Sequence, residues 1–223
     1  MRRKANEDTM TAMTAHRTSA DFWDKISAKF AKRPISDMAA YEEKLTRLGS
    51  LLSKTDNVLE IGCGTGSTAL RLAPGVSHIT GTDHSRGMIE IAKSKLGTDA
   101  PANITFHQAE ADSDVTGQPF DAVCAFSLLH LVPDIPAVLD RVRKQLKPGG
   151  LFITKTGCLK DKTIVLRGLV AVLTAVGYAP PISVLSREDL VRQIKGAGFD
   201  VESVEYFGKD RMSPFIVARR TRD

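Results

Sequence analysis

A glycine-rich stretch in the first third of the chain has the residue types and spacing of a cofactor-binding loop. It reads NVLEIGCGTGSTAL over Asn57–Leu70, with the pattern G-x-G-x-G from Gly62 and G-x-G-x-x-A from Gly64. Glycines allow close approach of the backbone to a ligand, and the free amides of a following helix N-terminus attract an anionic group. The second pattern also satisfies the dinucleotide fingerprint. The loop alone therefore leaves two cofactors open, a nicotinamide dinucleotide and S-adenosylmethionine.

Two acidic residues near strand ends bear on that choice. Glu60 comes two residues before Gly62, and an acid there repels a pyrophosphate but suits a cofactor with a positive ammonium group, which favours S-adenosylmethionine. Asp83 comes 17 residues after Gly66, where a carboxylate accepts the ribose hydroxyls of an adenosine, as dinucleotide sites also do. The alternative role for Asp83 is the N-cap of the next helix, for which Ser85 is the better candidate.

Further polar side chains follow the third and fourth predicted strands. Glu110 comes just past the third strand, in position to accept the adenine amino group, and a solvated loop acid is the alternative. Phe126, Ser127 and His130 emerge at the carboxyl end of the fourth strand, the edge where open α/β sheets bind ligands. His130 is a candidate general base or an orienter of substrate, with a structural hydrogen bond in the next turn as the alternative.

The order of the elements predicts a doubly wound α/β sheet, because short apolar runs alternate with helical patterns. The predicted strands are Asn57–Ile61, His78–Thr82, Ile104–Gln108, Ala122–Phe126 and Leu151–Thr154, with a final pair at Phe199–Tyr206 and Pro214–Ala218. The predicted helices are Ser67–Leu72, Gly87–Leu96, Ile135–Leu146, Asp161–Val176 and one that starts at Ser186, with Asp189 at the capping-box position. Residues 1–20 are polar and predict a disordered tail, so residues 21–223 form one domain.

Composition and charge narrow the function classes. The net charge is +5 and the pI about 9.2, but much of the basic excess lies at the chain ends, where it indicates solvated charge or an affinity for an anionic substrate or membrane surface. No basic patch is interleaved with aromatic residues, so we expect no nucleic-acid partner. Cys63, Cys124 and Cys158 form no C-x-x-C pair, which favours reduced cysteines and a cytoplasmic location.

Four stretches together resemble the class I S-adenosylmethionine-dependent methyltransferases, most closely the small-molecule branch that methylates quinones, sterols and other lipid-like compounds. They are VLEIGCGTG, GTDHSRGMIEIA, FDAVCAFSLLHL and VRKQLKPGGLFITKT, and they span Val58–Thr156. The resemblance implies a Rossmann-like seven-stranded sheet with helices on both faces and strands six and seven as an antiparallel pair. It also implies S-adenosylmethionine as cofactor, S-adenosylhomocysteine as product, and the segment Lys147–Gly150 as the turn into strand five.

The resemblance assigns cofactor contacts to the matched positions. The first motif, around the methionine part, contributes Glu60, Gly62, Cys63, Gly64 and Gly66. The other matched positions are Asp83 at the ribose, His84 and Met88 beside the adenine, Glu110 and Ala111 at its edge, and Phe126 with Ser127 at the end of strand four.

The sequence signals for residues that contact the methyl acceptor are less specific than those for the cofactor. Lys155 and Thr156, at the carboxyl end of strand five, join His130 as groups that assist or orient the acceptor. The N-terminal helices over 21–53 are predicted to form a lid that contacts substrate. Its aromatic residues are Phe22, Trp23 and Phe30, for which ordinary helix packing is the alternative.

An apolar segment, Thr163–Tyr178, lies where the resemblance implies a substrate-covering insertion over residues 158–185. It predicts a substrate tunnel or a helix on a membrane surface, with Arg167 meeting an anionic group. Packing on the sheet or a dimer interface is the alternative. The segment is too short to span a bilayer.

The predicted activity is methylation of a small hydrophobic or amphipathic molecule, with a carboxylate or hydroxyl oxygen favoured as acceptor. A lipid amine, a quinone or a thiol is the alternative acceptor. No N/D-P-P-Y-type motif follows strand four, which argues against adenine or amide-nitrogen chemistry, and no set of metal ligands is present, so we expect a metal-free site. A nicotinamide-dependent reductase or a non-catalytic cofactor-binding protein is the competing class, but no Tyr-x-x-x-Lys pair supports it.

Overall fold

The computed structural model describes residues 19–98, 100–161, 168, 172–174, 179–180, 182–209 and 211–222. Its strands are β1 Asn57–Ile61, β2 His78–Asp83, β3 Ile104–Gln108, β4 Phe120–Phe126, β5 Leu146–Lys155, β6 Phe199–Glu205 and β7 Phe215–Arg220. Its helices are α1 (residues 19–31), α2 Met38–Leu51, α3 Ser67–Leu72, α4 Arg86–Ser94, α5 Ile135–Gln145 and α6 Arg187–Gly196, with 3-10 turns at Ala73–Gly75 and Leu159–Asp161. No helix among these residues is long and apolar enough to cross a membrane.

The seven strands form one sheet in the order β3-β2-β1-β4-β5-β7-β6. Strands β1 to β5 pair in parallel, whereas β7 lies antiparallel between β5 and β6. The predicted seven-stranded doubly wound sheet with an antiparallel final pair is therefore confirmed. The chain direction across the sheet reverses between β1 and β4, and the crevice at such a reversal is where open α/β sheets bind ligands.

Two apolar layers cover the two faces of the sheet, and β1 shows how the sequence divides between them. Val58 packs in the layer that contains α2, α3 and α4, whereas Leu59 and Ile61 pack in the layer that contains α5 and α6. Successive side chains of a strand point to opposite faces. Glu60 therefore lies on the same face as Val58, toward α2 and α3.

Three sequence predictions differ from the structure or fall outside it. Lys147–Gly150, predicted as a turn, is part of β5, because Leu146 already pairs with Phe120 before the register shifts. Ser19 and Ala20, predicted in the disordered tail, belong to α1. Residues 1–18 and most of Thr163–Tyr178, including Arg167, lie outside the described residues.

Candidate active site

A cavity of about 540 Å³ opens at the carboxyl ends of β1, β2 and β4. Its size is typical of a small-molecule site. Predicted site residues in its lining are Trp23, Phe30, Gly62, Gly64, Asp83, His84, Met88, Glu110, Ala111, Phe126, Ser127 and His130. The other lining residues are Ser19, Leu128, Leu131, Val132, Pro133, Pro180, Ile182 and Ser183.

In the glycine loop after β1, one glycine keeps the cavity open and another allows the loop to pack against the sheet. Gly64 has φ +54° and lines the cavity, and a Cβ added there would meet nothing within 4 Å. Gly66 has φ +74°, and its Cβ would lie 2.5 Å from Cζ of Phe106. The first glycine therefore leaves room for a ligand, whereas the second is required by the contact between loop and sheet.

Asp83 ends β2 as a buried carboxylate with defined partners. Its Oδ2 accepts from the backbone N–H of Gly64 and its Oδ1 from that of Ser85, each at 2.9 Å. Ser85 is the N-cap of α4 and accepts from the N–H of Met88 at 3.1 Å, so the prediction that Ser85 is the cap is confirmed. Burial raises the pKa of Asp83, and the two N–H donors oppose that rise. Each carboxylate oxygen keeps a second lone pair for a ligand hydroxyl.

Helix α1 docks on the start of α4 through Asp24, a residue that the sequence did not single out. Its Oδ1 accepts from the hydroxyl of Ser85 at 2.5 Å and from the N–H of Gly87 at 2.8 Å. A Cβ at Gly87 would lie 2.8 Å from Oγ of Ser27, so the two helices are in close contact. Since Ser85 also donates to Asp83, one chain of hydrogen bonds joins α1 to the cavity wall.

The aromatic residues of α1 lie together above the cavity. Trp23 and Phe30 line it, and their ring centroids are 5.8 Å apart in an edge-to-face arrangement. Phe22 is not in the lining but packs against Trp23 at 5.4 Å in the same geometry. Two of the three predicted aromatic contacts therefore reach the cavity, and the third supports them.

Glu60 lies beneath the glycine loop and is not in the cavity lining. It is 2% exposed, and its Oε2 has no hydrogen-bond partner among the described residues. Lys44 of α2 is 7% exposed, with Nζ 4.3 Å from the ring centroid of Phe126 and 3.4 Å from Oγ1 of Thr68. Burial raises the pKa of Glu60 and lowers that of Lys44, and their opposite charges counteract both shifts. No local pattern indicated that Lys44 is buried, because a helical lysine normally faces solvent.

The far part of the cavity, which we call the acceptor half, is apolar around one imidazole. Apart from His130 and Ser183, the side chains there are hydrocarbon, namely Leu128, Leu131, Val132, Pro133 and Ile182. Burial lowers the pKa of His130 to about 4, so the ring is neutral at pH 7. Its Nδ1 is buried with no hydrogen-bond partner in the described part of the chain. The backbone carbonyl of His130 accepts from the N–H of Ser183 at 2.7 Å, which ties residues 182–183 to this wall.

Four other predicted residues lie close to the cavity but not in its lining. Thr156 is fully buried, with its hydroxyl 3.3 Å from that of Thr154. Lys155 pairs with Phe126 at the end of β5. Cys63 and Gly66 pack within the glycine loop.

Comparisons with known proteins show the family to which the chain belongs. Residues 31–204 match the family model described as a methyltransferase domain. An uncharacterized methyltransferase of Schizosaccharomyces pombe is 28% identical over 196 residues, covering 83% of this chain and 73% of the relative. The O-methyltransferase cnsE of Penicillium expansum is 28% identical over 205 residues, covering 88% of this chain and 70% of the relative. Several fungal polyketide synthases also match, and the chain covers only 4% to 6% of their length.

Solved structures show the same fold. The complex of DhpI with S-adenosylhomocysteine superposes with a TM-score of 0.72 at 18% identity, over 93% of this chain and 98% of that one. The chain therefore belongs to the methyltransferase-domain family. It is an S-adenosylmethionine-dependent methyltransferase, which decides between the two cofactors that the glycine loop left open.

The residues of the cavity fit that cofactor. Gly64 leaves open space beside the loop, Asp83 offers buried oxygens to ribose hydroxyls, and the buried Nε2 of His84 has no partner among the described residues. A buried polar atom without a partner is costly, so such an atom at a cavity wall is typical of a ligand site.

Proposed function

We propose that this methyltransferase transfers a methyl group to a weakly acidic hydroxyl of a small, apolar molecule. The observation that carries the proposal is the polarity of the cavity. The acidic side chains Asp83 and Glu110 lie at the end near β2 and β3, whereas the acceptor half is hydrocarbon around the neutral His130. The name of the Penicillium expansum relative, an O-methyltransferase, supports oxygen as the accepting atom.

A carboxylate acceptor is less well supported than a hydroxyl. No lysine or arginine is among the described residues that line the cavity. An ionised carboxylate moved into an apolar wall without a counter-charge loses its hydration and gains no compensating interaction. A phenol or enol enters neutral and gives up its proton only as the bond to the methyl group forms. We therefore expect neutral hydroxyl compounds to be better substrates than matched carboxylic acids.

The residues that line the cavity support an assignment of cofactor contacts. We assign the ribose hydroxyls to Asp83, the adenine to His84, Met88, Glu110 and Ala111, and the methionine part to the loop with Gly62 and Gly64, beside Phe126 and Ser127. The bound cofactor supplies an electrophilic methyl group. The protein then contributes chiefly alignment, because holding two groups in line removes much of the entropic cost of their reaction.

His130 is assigned as the group that orients the acceptor oxygen and takes its proton. A neutral imidazole has one nitrogen with a free lone pair, which accepts a hydrogen bond from an O–H group and then its proton. Because burial keeps the ring neutral in the free enzyme, it is ready to accept without first losing a proton. General bases typically contribute about 10²- to 10⁴-fold to a rate, most when their pKa lies near the working pH, so the lowered pKa of His130 favours the lower end of that range.

Helix α1 is assigned as the lid of the site. Trp23 and Phe30 exclude water from the cavity, and Asp24 holds the helix against the start of α4. Excluding water strengthens every polar interaction inside the site. Lys155, Thr156 and Phe22 support these groups from positions next to the cavity.

The test is a comparison of matched acceptors with a matched pair of variants. Long-chain 4-alkylphenols and fatty acids of similar length should be assayed for methyl transfer, with turnover expected for the phenols only. His130→Asn should lower kcat about 100-fold or more while S-adenosylhomocysteine binding stays the same, and His107→Asn, on the exposed part of β3, should behave as wild type. Preferred turnover of the fatty acids, or full activity of His130→Asn, would refute the proposal.

A further inference from the structure

We propose that the rim of the cavity is a docking surface for an anionic lipid bilayer. The rim consists of residues 25–38 and of the described residues 172–174, 179–180 and 182–184. The inference deepens the proposed function, since it names the surface from which an apolar acceptor enters the site. Its experiment measures bilayer binding without any turnover, so the two proposals can fail separately.

Exposed apolar side chains are concentrated at this rim. Seven large apolar side chains are exposed among the described residues, and six of them lie in the two rim segments. On one side they are Phe30, Ile35 and Met38, and on the other Val172, Leu173 and Val184, whereas Val204 lies elsewhere. Scattered apolar residues on a surface need no explanation, but a cluster around one opening indicates an interaction site.

Both groups are anchored next to the cavity. Phe30 is 40% exposed and lines the cavity itself. On the other side, the carbonyl of Leu173 accepts from the N–H of Ala179, directly before the lining residue Pro180. Val184 directly follows the lining residue Ser183. Phe30 on one segment and Leu173 and Val184 on the other therefore lie beside the same cavity, and Ile35 and Met38 follow Phe30 along the chain.

Basic side chains accompany the apolar ones. Lys25, Lys29 and Lys32 are exposed at the spacing i, i+4 and i+7, which places them along one side of α1 and its end, and Arg33 follows. None of the four side chains has an ion pair or hydrogen bond within the described residues. Asp37 is the one acidic residue between positions 25 and 38, and its Oδ1 accepts from the N–H of Ala40. Asp21 lies on the same side of α1, so four basic residues outnumber two acidic ones and the net charge of this surface is positive.

An anionic bilayer matches both the basic and the apolar side chains of the rim. Basic side chains are attracted to acidic headgroups, and apolar side chains beside them insert at the boundary with the acyl chains. An apolar acceptor is concentrated in a bilayer, and an opening that faces the bilayer lets it enter without crossing water. An acidic protein would match the charge but not the exposed apolar residues on both sides of the opening.

The experiment is co-sedimentation of the full chain with vesicles of phosphatidylcholine alone and with 30% phosphatidylglycerol added. The variant K25Q/K29Q/K32Q removes the basic side of the rim. Its matched control, K54Q/K93Q/K195Q, removes the same charge from exposed lysines before β1 and in the last turns of α4 and α6, at the opposite edge of the sheet. A second variant, I35S/M38S, removes apolar side chains of the rim.

We expect wild type and control to bind the phosphatidylglycerol vesicles and not the pure phosphatidylcholine vesicles. One basic side chain near an anionic surface is worth roughly fivefold in affinity, so the rim variant should lose about 100-fold. I35S/M38S should lose about tenfold or more, by an amount that added salt does not reproduce. All three variants should bind S-adenosylhomocysteine as wild type does.

Three results would overturn the proposal. The first is equal loss of vesicle binding in the rim variant and the control. The second is binding without preference for the anionic lipid. The third is binding to a purified acidic acyl carrier protein, dependent on the three lysines, with no binding to vesicles.

Discussion

Removing the carboxylate of Asp24 should speed the escape of the bound cofactor product. Asp24→Ala deletes the acceptor of two hydrogen bonds, from the Ser85 hydroxyl at 2.5 Å and the Gly87 amide at 2.8 Å. Hydrogen bonds to a charged group are worth about 1.5 to 3 kcal/mol each when buried, and solvent competes for this exposed carboxylate. We therefore assign about 2 kcal/mol to the pair. That free energy corresponds to a roughly 30-fold shift from closed to open lid.

The protein carries its own probe for this measurement. Trp23 is the only tryptophan of the chain and lines the cavity next to Asp24. Dissociation of S-adenosylhomocysteine should therefore be visible in tryptophan fluorescence by stopped flow. We expect its rate constant to rise about 30-fold in Asp24→Ala and by less in Asp24→Asn, which keeps one acceptor oxygen but loses the charge.

Asp21→Ala is the matched control, because Asp21 lies one turn earlier on the same helix and its side chain makes no hydrogen bond or ion pair within the described residues. It should leave the dissociation rate unchanged. The assigned role of α1 would be wrong if Asp24→Ala released S-adenosylhomocysteine within twofold of the wild-type rate. It would also be wrong if the two alanine variants had the same effect.

Three further predictions concern the interior of the site. Asp83→Asn should weaken S-adenosylhomocysteine binding about 10- to 100-fold by calorimetry, because an amide replaces a charged acceptor of the ribose hydroxyls; unchanged affinity would refute that contact. Gly64→Ala should lower the free energy of unfolding by about 1 to 2 kcal/mol and abolish cofactor binding. Gly66→Ala should lower it more, because the added Cβ would lie 2.5 Å from Phe106. A larger loss of unfolding free energy in Gly64→Ala than in Gly66→Ala, measured by denaturant melts, would contradict the assigned roles. Burial lowers the pKa of His130 from 6.5 to about 4, so kcat/KM should stay level from about pH 5.5 to about pH 7.5. The stability linked to this shift is complete above the ordinary pKa and is lost as the pH falls through the folded value. An acid limb of kcat/KM near pH 6.5 would contradict the lowered pKa of His130.

Local sequence patterns were sufficient to predict most secondary-structure elements and the residues that line the cavity near β1, β2 and β3. The apolar runs predicted β1 to β4 within one or two residues, because buried parallel strands have a simple composition. Ser85 was recognised as a cap because capping depends only on residues three positions apart. The turn predicted at Lys147–Gly150 lies inside β5 instead, because Leu146 already pairs with Phe120 of β4, a residue distant in sequence, and the pairing resumes at Leu151.

The sequence by itself determined the doubly wound sheet, the position of the glycine loop, and the acids at the carboxyl ends of β1, β2 and β3. These features depend on spacing along the chain, and parallel strands bring their carboxyl ends to one edge whatever else folds around them. Only the tertiary structure decided that Asp24 reaches Ser85 across 61 residues, that Lys44 is buried beside Phe126, and that His130 lies in an apolar wall. Contacts between distant segments depend on how helices pack, and side-chain burial sets the protonation state of a histidine. Neither the packing of helices nor the burial of a side chain is encoded in a local pattern of residues.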